Sequence, residues 1–62
     1  MATLAIMNYE SAEIVVIDLS SDIAEKYAAD YDQLVFNEMG YKPSEVYYMV
    51  AENIEIIRRE KI

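Results

Sequence analysis

The chain has no cysteine and no histidine, and only one glycine and one proline. Each shortage closes off some chemistry. Without cysteine there is neither a disulfide nor a thiolate metal site. Without histidine the commonest transition-metal ligand and the commonest general base are both missing. One glycine cannot build a glycine-rich phosphate loop. Bases are scarce too, five against twelve acids, for a net charge of −7. That sign repels nucleic-acid phosphates and anionic membrane surfaces. No apolar run approaches the ~20 residues of a membrane span. The opening Met1-Ala-Thr-Leu-Ala-Ile-Met7 has no basic flank and too short an apolar run for a signal peptide. A cytoplasmic protein of bacterial or viral origin is expected, with no cofactor, metal or small-molecule ligand.

What the chain has is apolar content, 55% of its 62 residues, where ~45–50% is usual. A chain this short buries only ~60% of the surface that its unfolded form exposes. It makes one domain, 1–62, and nothing covalent staples it. Such a composition suits either very good packing or burial of part of the surface in a partner, and a homodimer is one natural outcome.

Residues 2–9, ATLAIMNY, and 13–19, EIVVIDL, are short, apolar and rich in β-branched residues. The polar Glu10-Ser-Ala12 between them predicts a β-hairpin. In the second strand Glu13, Val15, Ile17 and Leu19 share one side, and Ile14, Val16 and Asp18 the other. Both sides are mainly apolar, so one can face a helix while the other is covered by something else.

A helix is expected over 22–39. Ser20, Ser21 or Asp22 can cap it, and Asp22 with Glu25 has capping-box spacing. Its apolar stripe is Ile23, Tyr27, Tyr31, Leu34, Val35 and Met39, and Gly40 stands where a helix-ending glycine would. Phe36 falls nearly opposite that stripe unless the Ala28-Ala-Asp-Tyr-Asp32 stretch breaks the helix and turns Phe36 toward the core.

Residues 46–59 can be read two ways. As a helix, Ser44 would cap it and Arg58, Arg59 and Lys61 would complement its C-terminus. As strands, Val46–Ala51 and Ile54–Arg59 would join through a turn at Glu52-Asn53. A lone two-stranded hairpin is a weak sheet. A sheet with more strands and one covering helix buries both elements better. The expected fold is therefore α+β, a two-layer ββαββ with a small antiparallel sheet covered on one face by one helix. The alternative is ββαα.

The order of a hairpin, an acidic helix ending in Met39-Gly-Tyr41, then Val46-Tyr-Tyr-Met-Val50 and a terminal Ile54-Glu-Ile-Ile57 resembles small uncharacterised proteins of gut-bacterial genomes. The resemblance implies no activity. It favours a bacterial origin and the strand reading of the C-terminal part.

Catalysis is hard to assemble from these residues, and no enzyme is expected. Ser11, Ser20, Ser21 and Ser44 sit at turns or helix starts, where serine is ordinary. Asp30-Tyr-Asp32 opens like a calcium loop, but Val35 stands where its sixth-position glycine belongs and Tyr41 where its closing glutamate belongs.

Two surfaces could instead meet a partner. Tyrosine buries area while keeping a polar tip, which suits interfaces. Tyr47 and Tyr48 are adjacent, so in a strand one faces a helix and one faces out. With Val15 and Ile17 they are the partner-binding candidates on an apolar, tyrosine-rich sheet face. The expected function is thus a non-catalytic interaction module that binds itself or a larger protein, with no direct contact to nucleic acid or membrane. The second surface is acidic. Six acids against Lys26 give −5 between Asp18 and Glu38. Asp22, Glu25, Asp30 and Asp32, with Phe36 among them, could imitate nucleic-acid phosphates and occupy a DNA-binding protein's basic groove. The same acids also serve as a solvated helix face that keeps an apolar chain soluble.

Overall fold

The computed structural model describes residues 2–61. Strand β1, Thr3–Asn8, pairs antiparallel with β2, Glu13–Asp18. The hairpin closes over residues 9–12. There the Asn8 side-chain oxygen accepts from the backbone N–H groups of Glu10 (3.0 Å) and Ser11 (3.2 Å). This is the local bonding that makes asparagine a turn former. Ala12 finishes the turn at φ 57°, in the left-handed region.

A third strand, β3, Val46–Ala51, pairs antiparallel with the other edge of β1 and gives the sheet order β2-β1-β3. Because β2 and β3 flank the central strand, residues 19–45 must cross from one edge of the sheet to the other. They do so over one face, and that face alone receives the helices.

The crossing segment contains two short helical pieces. Helix α1, Ser21–Lys26, is capped by Ser20, whose hydroxyl accepts from the Ile23 N–H at 3.3 Å. Ser20 therefore does the capping, and the Asp22–Glu25 box expected from spacing is not used. The single helix expected over 22–39 is broken. Residues 27–29 form a turn, and the Asp30 carboxylate accepts from the Asp32 N–H at 3.1 Å. An aspartate that bonds to the backbone in this way competes with helix continuation. The Tyr31 hydroxyl donates to the Ala24 carbonyl at 3.2 Å and ties the second piece to the first.

The second piece, α2, Gln33–Glu38, is a π-helical turn, with Met39 N–H bonding back to Leu34 at 2.9 Å. A wider turn leaves a smaller angle between consecutive residues. Leu34 and Val35 are both buried, and Phe36 beside them packs against the same core. The break thus turns Phe36 inward. Gly40 at φ +81° ends the helical piece α2, where Tyr41 N–H reaches the Val35 carbonyl at 3.2 Å. This places glycine where a left-handed residue is needed.

The core is Leu4, Ile6, Leu19, Leu34, Val35 and Val46, with Tyr27, Tyr31 and Tyr41 packed around it. It lies wholly between the sheet and the helical layer. The architecture is the expected α+β fold, a small antiparallel sheet covered on one face. Two details differ. Residues 46–51 are a strand, which removes the helical alternative for 46–59. Residues 54–59 do not add a further strand: no regular element follows Ala51, and 53–61 make no hydrogen bond or ion pair within the described residues. A two-residue turn at Glu52-Asn53 would want glycine at its second position, and none is there.

Candidate interaction surface

The strand register sorts every sheet residue onto one of two faces. Leu4 lies between Ile17 and Val50, and Ile6 between Val15 and Tyr48, all on the covered face. The other face carries three rows. Thr3 lies between Asp18 and Ala51, Ala5 between Val16 and Met49, and Met7 between Ile14 and Tyr47. Directly opposed side chains in a sheet point the same way, so the assignment follows from the backbone alone.

The second face is open and apolar. Ile14 and Tyr47 keep 66% and 68% of their surface in water, and Met7, Val16 and Met49 are also exposed. Ala5 is small and lies low between taller neighbours, at 9% exposure. A groove of ≈ 290 Å³ follows, lined by Ala5, Met7, Ile14, Val16 and Met49 and bordered by Ile54, Glu55 and Ile56 from the C-terminal segment.

The two ends of this face differ. At one end Tyr9 and Tyr47 meet edge to face, with ring centroids 5.7 Å apart and planes at 82°. This is a favourable aromatic geometry that stiffens both rings. At the other end the Thr3 hydroxyl donates to the Asp18 carboxylate at 3.1 Å. An apolar centre with a polar end is the layout of an interface core and its rim.

The structure separates the residues singled out from sequence. Tyr47 is the outward member of its pair. Tyr48 points to the helical layer, where it stacks edge-on against Phe36 with centroids 6.0 Å apart. Its hydroxyl donates to the Asp32 carboxylate at 2.5 Å. That bond, with burial and the charges of Asp32 and Asp30, pushes the Tyr48 hydroxyl up to about 12 from 10.0. Val15 and Ile17 are half-buried against the core. As candidates for an exposed surface, Val15, Ile17 and Tyr48 are therefore replaced by Ile14, Val16, Met7 and Met49. Alternation along β2 divided the two sets correctly, but both are apolar, and no signal in the sequence said which set faces out.

The acidic candidates lie on the helical side of the molecule. Asp22 and Glu25 are exposed on α1, and Asp30 and Asp32 sit at the junction before α2. Asp30 and Asp32 each accept a hydrogen bond from within the chain. Phe36 is turned into the core and stands apart from them as a surface feature. Among the described residues no three acidic side chains converge as a metal site, and no helix is long and apolar enough to cross a membrane.

No family model, curated protein or solved structure matches this chain.

Proposed function

We propose that this protein is a non-catalytic interaction module whose working surface is the open sheet face. One observation carries the reading: Met7, Ile14, Val16, Tyr47 and Met49 form a contiguous exposed apolar surface on a chain of net charge −7. Large exposed apolar patches mark sites of association in soluble proteins. The Tyr9–Tyr47 pair supplies ordered aromatic area, and aromatic residues are the usual anchors of such sites. The partner on this reading is a protein, met in the cytoplasm without a cofactor.

The test is affinity capture from a lysate of the source cells, with elution in steps of rising salt. Wild type is compared with Ile14→Lys and with the triple variant Asp22→Asn, Glu25→Gln, Asp32→Asn. A partner that survives high salt, is lost with Ile14→Lys and is kept by the triple variant supports the reading, because apolar contacts are not screened. A nucleic-acid-handling partner that is released by moderate salt and lost only in the triple variant would replace it with the acidic phosphate mimic. Exposed charge pairs weaken over a screening length of ~8 Å at physiological salt.

A further inference from the structure

We propose that the occupant of the open face is a second copy of this chain, packed face to face with its strands antiparallel. The inference rests on the interaction-module reading and specifies its partner.

Three features of the face fit a copy of itself. The first is area. Met7, Ile14, Val16, Tyr47, Met49 and Ile56 each leave 41–68% of their surface exposed. Together with Tyr9 they present an area on the order of the ~800 Å² that each side of a standard interface contributes. Sheets pack face to face through interdigitating side chains, with strand directions within ~30°. The second feature is relief. The low Ala5 makes a groove along the centre, and Met7, Met49 and Tyr47 stand up around it. A surface with both ridge and groove can be complementary to itself, which a two-fold interface requires. Methionine is flexible enough to fill the gaps that remain.

The third feature is charge. Two copies bring −7 against −7, so most of the acids must lie away from the contact. Asp22, Glu25, Asp30 and Asp32 lie on the helical side of the sheet, which the open face turns away from the partner. Asp18 is the acid of the face's own rows and sits at the end opposite Tyr47, while the exposed Glu55 borders the groove between Ile54 and Ile56. With strands parallel β2 lies over the partner's β3, and both Asp18 side chains sit at the same end of the contact. With strands antiparallel β2 lies over β2, and the two Asp18 side chains sit at opposite ends of the contact, each across from the partner's Ile14. The charge layout therefore selects the antiparallel pairing, in which β3 lies over β3 and Met49 of one copy comes near Met49 of the other.

Sedimentation equilibrium over a range of concentrations tests the pairing. Wild type should be a dimer of micromolar affinity or tighter. Ile14→Lys should weaken it by at least ~30-fold, the effect of losing one interface anchor. Lysine lowers the net negative charge, so lost association reports the face and not overall repulsion. Circular dichroism and a cooperative melt check that the variant is folded, and Ile14→Thr, which keeps the β-branched shape, should give a smaller loss in the same direction. Added salt should strengthen the dimer by screening its like charges. The chain has no cysteine, so Met49→Cys can be joined by a short bis-maleimide linker, and efficient copy-to-copy linkage is expected. A monomer at all concentrations overturns the proposal. So does a dimer unaffected by Ile14→Lys, which would be held by its strand edges, and so does a dimer that Met49→Cys cannot link. If the chain is monomeric yet its lysate partner is still lost with Ile14→Lys, the interaction-module reading stands and the self-pairing falls. If Ile14→Lys changes neither, both fall.

Discussion

The two faces of this sheet are built from similar residues and have opposite fates. On β1, Leu4 and Ile6 point one way and are fully buried, while Met7, one residue on, points the other way and is about half exposed. Isoleucine and valine also occur on both faces of β2. What separates the faces is the path of residues 19–45, which cross from the β2 edge to the β3 edge over one side. A helical layer that short cannot wrap both sides. Burial on this sheet is thus a consequence of topology, and side-chain type alone does not assign it.

The largest test of this contrast pairs two substitutions at neighbouring positions. Ile6→Ala opens a cavity under the helical layer and should cost ~2–5 kcal/mol. That is much of the ~0.05–0.15 kcal/mol per residue that a domain has, so the variant should be largely unfolded. Met7→Ala removes a side chain from the open face. In dilute, monomeric protein it should change stability by no more than ~0.5 kcal/mol. Urea melts of both variants at low concentration would show the difference, and equal losses would mean that the open face is covered within the monomer.

Gly40 tests how α2 ends. At φ +81° with nothing within 4 Å of a built side chain, Gly40→Ala meets only backbone strain. The expected loss is ~1–2 kcal/mol, read as a lower melting temperature.

Tyr48 sharpens the contrast with its outward neighbour. Tyr48→Phe removes the bond to Asp32 and should cost about 1 kcal/mol at neutral pH. The pH dependence follows from the raised value. Below pH 10 both folded and unfolded chains keep the Tyr48 proton, and the contribution is complete. Between 10 and about 12 the unfolded chain gives up that proton while the folded chain holds it. Stability therefore falls as pH rises through this window. A titration of tyrosinate absorbance should show one late tyrosine that Tyr48→Phe deletes. If the late step survives in Tyr48→Phe, the hydrogen bond to Asp32 is not its cause.

The smallest effect is expected at Ala12, which holds φ 57° in the hairpin turn. Ala12→Gly relieves that strain but adds freedom to the unfolded chain. A net gain of about 0.5 kcal/mol, seen as a small rise in denaturation midpoint, is expected.

Much of the fold could be read from the residues. The hairpin followed from two β-branched runs and a polar link, the end of the helical stretch from Gly40, and the strand at 46–51 from its aromatic and branched residues. The break between α1 and α2 was harder to place, because the stripe from Ile23 to Met39 continues through it in register. Phe36 was the residue out of step, and its inward position is what the break achieves. The C-terminal strand over 54–59 did not form, although Ile54-Glu-Ile-Ile57 has strand composition. Composition gives a segment its propensity, but a strand also needs an edge that the preceding turn lets it reach.

By itself the sequence determined that this would be a small acidic α+β chain with more apolar surface than one core consumes. Once residues 46–51 are a strand, Tyr47 and Tyr48 must point opposite ways, since strand periodicity is local and fixed by backbone geometry. Only the tertiary structure decided which of them faces water, and that Ile14 and Val16, not Val15 and Ile17, form the open surface. The reason is physical: alternation defines two faces, but which one is buried depends on where the helices cross, and that is a long-range choice that no stretch of the chain carries alone.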